Sequence, residues 1–94
     1  MKYMTEDRAK EICLATPVQL RDKGIPRKEL VQADQWIRDY ALNSLKAKID
    51  KYPAPIKAFV SLCARAHFGS VETDTFLNQM GCYPKWMEER HDPE

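Results

Sequence analysis

Apolar residues recur at intervals of three and four along most of this 94-residue chain, which is the spacing of one face of an α-helix. The longest series covers residues 26–51, between Pro26 and the prolines at 53 and 55. Its apolar members are Leu30, Ala33, Ile37, Ala41, Leu45 and Ile49, and its polar members are Lys28, Gln35, Asp39, Lys46 and Asp50. Since proline is tolerated in the first turn of a helix but not in its interior, the series predicts one long amphipathic helix bounded by these prolines.

Two short helices are predicted before the long one. Thr5 and Thr16 are suited to N-cap positions, which predicts helices over residues 6–14 and 17–23. Gly24 is suited to end the second helix in a left-handed conformation.

Two further helices are predicted after the long one. The first runs over residues 55–68 and stops at Gly69. The face that we expect to lie in the core contains Ile56, Phe59, Val60, Cys63 and Ala66 or His67. Ser70 or Thr73 begins the next helix, which ends near Gly81, and residues 82–87 start a last turn or two of helix.

No strand-like alternation of useful length occurs in the sequence. We therefore expect an all-α fold, a small bundle of about five helices around the long central helix. The length favours a single domain over residues 1–94, with a frayed tail at residues 91–94.

Composition and the first residues indicate a cytoplasmic globular protein. Hydrophobic residues make up 44% of the chain and charged residues 31%, as in ordinary globular domains. No apolar run has the length of a membrane span, and residues 1–11 lack the apolar core of a signal peptide. We expect a cytosolic location, with the three cysteines as free thiols.

The net charge of +1 hides an uneven distribution. Residues 1–65 contain 13 Lys or Arg and 8 Asp or Glu, a balance of +5, whereas residues 66–94 contain 2 and 6, a balance of −4. Such a chain could present surfaces of opposite charge to a partner. Chance scatter of surface charge is the simpler interpretation.

A zinc site is the first chemical possibility in the sequence. The segment SLCARAHFG sets Cys63 and His67 four residues apart on one helical face, and Cys82 and His91 supply two further ligand types that zinc accepts. The spacing is not that of a standard zinc finger, whose second ligand pair is close together. A buried Cys63 with His67 near the helix end is the simpler interpretation, so we expect no metal and no other cofactor.

Catalysis and DNA binding are the next possibilities. The sequence has no phosphate-binding loop, dinucleotide fingerprint or paired metal-binding carboxylates, so we expect no enzyme. The helices over 55–68 and 73–80 have the outline of a helix-turn-helix, which makes a small DNA-binding regulator the alternative function. The second of these helices is acidic, which disfavours contact with phosphates. The candidate nucleic-acid contacts are instead Arg21, Lys23, Arg27 and Lys28.

A protein-binding segment is predicted near the C-terminus, where aromatic residues and methionine are concentrated. Tyr and Trp dominate protein interfaces, and Met adapts to irregular surfaces. The predicted partner-binding residues are Tyr83, Pro84, Trp86, Met87 and Phe68. An equal alternative is that Trp86 packs back on the long helix near Trp36 or Tyr40.

Several X-Pro bonds have a separate interpretation. An aromatic residue before proline raises the cis fraction of the bond, so the segments at Pro53, Pro55 and Pro84 could be read by a host prolyl isomerase. Helix punctuation is the simpler explanation of all three.

The segments ICLATPVQLRDKGIPRKELVQADQWIRDYA and SLCARAHFGS, followed by GCYPKW, resemble the small anti-RecBCD modulator proteins of lambdoid phages of enteric bacteria. The resemblance lies in length and general character, so no functional residue is transferred to this chain. It implies a non-catalytic protein that binds the host RecBCD helicase–nuclease, protects phage DNA ends and favours phage recombination. Other phage inhibitors, directed at CRISPR complexes or RNA polymerase, share this character.

Overall fold

The computed structural model describes residues 4–89, and in this range the protein has five α-helices, one 3₁₀ helix and no β-strand. The helices are α1 (Glu6–Leu14), α2 (Pro17–Asp22), α3 (Arg27–Lys48), α4 (Ala54–Ala66), α5 (Val71–Gln79) and the 3₁₀ helix (Lys85–Glu89). The predicted all-α fold is confirmed. Among the helices described, none is both long enough and apolar enough to cross a bilayer.

The signals that start and end the first helices act as the sequence indicates. The Thr5 hydroxyl accepts a hydrogen bond from the backbone N–H of Arg8, and Thr16 and Gln19 form a reciprocal capping box. Gly24 has a φ of +65°, and the next N–H donates to the carbonyl of Leu20 at 3.1 Å. This left-handed turn closes α2 and leads directly into the long helix.

The contacts of the chain define two compact units. Unit 1 contains the residues up to Ile37 together with those from Lys85 onward, and unit 2 contains Arg38–Pro84. The long helix α3 contributes its first part to unit 1 and its second part to unit 2. The single domain over residues 1–94 stays a prediction.

Unit 1 has a small apolar centre and a charged link between two helices. Its buried apolar side chains are Ala9, Ile12, Ala33 and Ile37. The Arg8 guanidinium on α1 donates to the carboxylate of Glu29 on α3 and to that of Glu11 at 2.7 Å. The 3₁₀ helix packs against α1.

Unit 2 contains the larger core. Its buried members are Ala41, Leu45, Ile49, Ala64, Leu77 and Cys82, and Leu42, Val60, Phe68, Met80 and Tyr83 pack against them. The predicted apolar series of the long helix is therefore buried from Ala33 to Ile49. Gly81 has a φ of +69°, and the turn it allows places the Cys82 N–H 2.9 Å from the carbonyl of Leu77. This turn brings Cys82 into the core.

Two predictions about the helices after the prolines are wrong or refined. The predicted core face of α4 is wrong except for Val60, which packs against the core together with the buried Ala64. The other predicted members are exposed, namely Ile56, Phe59, Cys63, Ala66 and His67. Ser70, not Thr73, is the N-cap of α5, and its hydroxyl oxygen accepts from the Thr73 N–H at 3.2 Å.

We expect Leu77→Ala to lower the free energy of unfolding by about 2–5 kcal/mol, because Leu77 is fully buried and its truncation leaves a cavity. Urea denaturation followed by circular dichroism measures the change. The matched control is Val71→Ala at an exposed position on the same helix, for which the expected change is below about 0.5 kcal/mol. Equal losses in the two variants would contradict this assignment of the core.

Candidate protein-binding surface

Helix α4 is apolar on more than one side. Its sequence, APIKAFVSLCARA, contains only two charged residues, Lys57 and Arg65. A helix that faces water normally carries charged or polar side chains opposite its core face, and a helix that is apolar all round is normally buried. Helix α4 therefore has more apolar surface than the core of unit 2 uses.

The side of α4 opposite Ala64 lies open to solvent. Phe59 keeps 68% of its surface exposed, Leu62 66% and Ile56 47%. Phe59, Leu62 and Ala66 follow one another at intervals of three and four, so they lie along one line of the helix. We call the exposed row Ile56, Phe59, Leu62 and Ala66 the α4 face.

A groove borders the α4 face on each side. The α3–α4 groove consists of two overlapping cavities of about 340 Å³ each, which share Lys46, Ala58 and Ser61 as lining residues. One cavity extends to Lys57 and the other to Leu62 and Arg65.

On the other side lies the α4–α5 groove, with a volume of about 270 Å³. Phe59, Cys63 and His67 line it from α4, and Glu72 and Phe76 line it from α5. Phe76 is also exposed. The exposed apolar surface therefore continues from α4 onto α5.

The C-terminal end of α4 is held by a cation. The Arg38 guanidinium donates to the backbone carbonyl of Arg65 at 3.0 Å, and it lies 5.4 Å from the centre of the Phe68 ring. A positive charge at this end complements the helix dipole, and its position over the ring adds a cation–π contact. Phe68, a predicted partner-binding residue, is thus half-buried in contacts of unit 2 itself.

Tyr83 and Pro84 also have internal contacts in unit 2. The Tyr83 hydroxyl donates to the Asp74 carboxylate at 2.8 Å, and Pro84 is buried. Partial burial raises the pKa of Tyr83, and the hydrogen bond to Asp74 raises it further. Burial likewise raises the pKa of the neighbouring Cys82 thiol, against the opposing charge of Lys48.

Trp86 and Met87 belong to unit 1 and are half-buried there. The Trp86 ring lies 6.0 Å from the Trp36 ring between centroids, with a 31° angle between their planes. Its indole N–H donates to Glu6 on α1 at 3.1 Å. The contact between Trp86 and Trp36 agrees with the alternative in which Trp86 packs back on the long helix.

The five predicted partner-binding residues therefore do not form one exposed patch. Three lie in unit 2 and two in unit 1, none is classed as exposed, and Pro84 is buried. Their role in partner binding stays a prediction. A row of exposed apolar side chains lies instead on the α4 face.

Of the candidate zinc ligands among the described residues, the structure places only two side by side. Cys63 and His67 line the α4–α5 groove, but Cys82 is fully buried in the core of unit 2. His91 lies outside the described residues. Within residues 4–89, no group of three or more His, Cys, Asp or Glu side chains is placed to hold a metal ion.

The candidate nucleic-acid contacts are all exposed in unit 1. Two of them have a neighbouring carboxylate, because Lys23 lies 3.4 Å from Glu11 and Arg21 lies 3.6 Å from Asp22. Hydrogen bonds from Arg8 and Lys23 lower the pKa of Glu11, so this carboxylate stays charged. Paired charges offer less positive potential to a phosphate backbone than free ones.

The helix-turn-helix outline exists as two helices joined by a turn, but its second helix is acidic. The first turn of α5 carries Glu72 and Asp74. In DNA-binding proteins this is the end of the recognition helix that approaches the bases, where carboxylates are repelled by phosphates. All X-Pro bonds in the described part of the chain are trans.

Sequence reasoning missed the α4 face because it assigned Phe59 to the core. The signal was present in the composition of the helix: apolar residues occupy more positions than one core-facing stripe needs, and the two charged residues lie on one side. The chain matches no protein-family model, no curated protein and no solved structure.

We expect Trp86→Ala to lower the free energy of unfolding by about 2 kcal/mol, because it removes the contact with Trp36 and the hydrogen bond to Glu6. Helical circular dichroism before denaturation should change little, since the 3₁₀ helix has only five residues. Val31→Ala, at an exposed site on α3, is the control. Unchanged stability in Trp86→Ala would return this side chain to the candidates for partner binding.

Tyr83 should give the protein a measurable loss of stability at high pH. An unfolded tyrosine ionises near pH 10, at about its ordinary pKa, whereas the raised pKa of folded Tyr83 keeps it neutral. The unfolded state then binds fewer protons, so stability falls as the pH rises above about 10.

Tyr83→Phe should cost about 1 kcal/mol at pH 8 through the lost hydrogen bond, and the gap to the wild type should narrow above pH 10. Urea denaturation at a series of pH values measures both effects. Tyr52→Phe, at an exposed position, is the control. A constant gap across the pH range would show that Tyr83 does not cause the loss.

Proposed function

We propose that this protein is a non-catalytic, cytoplasmic accessory protein of phage type that binds and modulates a host protein machine through the α4 face. The resemblance described above makes the RecBCD helicase–nuclease the host machine in this proposal. Binding would protect phage DNA ends and favour phage recombination. The observation that carries the proposal is the exposed row Ile56, Phe59 and Leu62 on a helix with only two charges.

The size of the exposed apolar surface supports binding to a protein. Covering a Phe or Leu side chain contributes about 1.5–3 kcal/mol each, so Phe59 and Leu62 together supply a substantial part of a protein–protein affinity. The row from Ile56 to Ala66 is about 15 Å long at the rise of an α-helix. Exposed apolar patches of this kind mark interaction sites on soluble domains.

The mode of action follows from a binding surface without catalytic groups. A small protein that binds one conformation of a larger machine shifts the machine toward that conformation, by no more than the difference in affinity for the two states. A helix that inserts a row of apolar side chains into a groove of its partner is a common form of protein–protein contact. Inhibition or redirection of a nuclease needs no chemistry from the binder itself.

Purified RecBCD immobilised on a biosensor tests the proposal. We expect saturable binding of the wild-type protein, and a loss of affinity of about a hundredfold when Phe59→Ser and Leu62→Ser are combined, because two buried apolar contacts are removed. Val18→Ser changes an exposed apolar residue on α2 and should leave the affinity unchanged. Circular dichroism checks that each variant is folded.

Absence of saturable binding, or equal binding of the double variant, would contradict the proposal. The helix-turn-helix alternative has its own signature, which is tight binding to duplex DNA with a steep decrease as salt concentration rises.

A further inference from the structure

Unit 2 presents three parallel strips on one side: the α3–α4 groove, the α4 face and the α4–α5 groove. The order follows from the residues of α4 that line each groove. Ala58, Leu62 and Arg65 border the first groove, whereas Phe59 and Cys63 border the second. The apolar row therefore lies between two grooves of different character.

The outer strips carry opposite charges. Along the α3–α4 groove, Lys57 lies 3.5 Å from Asp50, while Lys46 and Arg65 form no ion pair with any described residue. Along the α4–α5 groove, Glu72 is exposed and likewise forms no ion pair within residues 4–89. The surface is thus basic on one side of α4 and acidic on the other.

A surface with a basic strip, an apolar row and an acidic strip side by side can match a second copy of itself, but only in one relative orientation of the two copies. In a symmetric dimer the same patch meets its own copy, and the two-fold axis lies in the interface. An axis parallel to α4 exchanges left and right, so the basic strip of each copy faces the acidic strip of the other. A two-fold axis perpendicular to α4 would make the two helices antiparallel. It would set the basic strip of one copy opposite the basic strip of the other, so like charges would meet. Charge complementarity selects the parallel arrangement.

The positions along α4 agree with this arrangement. Glu72 follows the short turn that ends α4, so it lies toward the same end of the helix as Arg65. Rotation about an axis parallel to α4 keeps this position, which sets Glu72 of one copy opposite Arg65 of the other. Phe76, which lines the α4–α5 groove together with Phe59, adds apolar surface to this strip.

We propose that a second copy of this protein covers the α4 face, in a two-fold symmetric dimer with parallel α4 helices and with Arg65 of each copy paired to Glu72 of the other. Phe59 and Leu62 pack close to the symmetry axis. This goes beyond the proposed function, because the face that binds a host protein is occupied by a second copy when the host protein is absent. Host binding then draws on the monomer, and the two equilibria are linked.

Sedimentation equilibrium at low ionic strength tests the dimer by charge exchange. Arg65→Glu and Glu72→Arg should each raise the dimer dissociation constant by about tenfold or more, because each replaces two attractive pairs per dimer with two repulsive ones. The combination of both substitutions in one chain should restore dimerisation, since the pairs form again with exchanged charges. The control Lys28→Glu, an exposed cation in unit 1, should have no effect.

A wild-type protein that stays monomeric at the highest soluble concentration would overturn the proposal. A dimer that is insensitive to the single substitutions, or a double variant as weak as the single ones, would overturn it too. Failure of the host proposal looks different: a protein that dimerises with charge-exchange rescue but does not bind purified RecBCD removes the host and keeps the dimer. A protein that stays monomeric but binds RecBCD would remove the dimer proposal and keep the host proposal.

Discussion

Helix α4 has apolar side chains on its inner and its outer side, and this excess of apolar surface governs both the packing and the surface of unit 2. Ala64 and Val60 face the core, where Leu45, Leu77 and Cys82 exclude water. The same helix leaves Phe59 and Leu62 in solvent, although the transfer of apolar side chains out of water is favourable. One core cannot cover both sides of a surface helix, so the outer side is available to another protein surface. Binding would bury the apolar side chains that folding leaves exposed.

Most of the other aromatic residues near the C-terminus have contacts within the chain. The Trp86 indole lies beside Trp36 and donates to Glu6, and the Tyr83 hydroxyl donates to Asp74. Tyr and Trp bind well at interfaces because they combine a large apolar area with a polar group. The same combination serves to fasten a short terminal segment to a small fold. Enrichment in Tyr and Trp therefore identifies side chains that form strong contacts. It does not tell whether those contacts are made within the fold or with a partner protein.

The charges beside the α4 face determine which orientation a partner can adopt. Lys46 and Arg65 on one side and Glu72 on the other give the apolar row a left and a right edge of opposite sign. Apolar contact is not directional, whereas charged edges favour one orientation and penalise others. A second copy in parallel orientation satisfies this pattern, and a host protein that displaces it would need a similar distribution of charge. In the two proposals, self-association and host binding are therefore two uses of one surface.

The sequence by itself determined the helices and their order. Thr5, Thr16 and Gly24 act at the predicted helix ends, and the three- and four-residue spacing from Ala33 to Ile49 identifies the buried side of α3, because caps and periodicity are local properties of the chain. Which side of α4 faces the core was not local. Periodicity there allows two apolar sides, and the side predicted from Ile56, Phe59 and Cys63 is the exposed one. Only the tertiary structure placed Ala64 inward beside Val60, because the closely packed core of Leu45, Leu77 and Cys82 admits a small side chain there. In unit 1, tertiary packing likewise decided that Trp86 lies beside Trp36, because the two residues are far apart in the sequence.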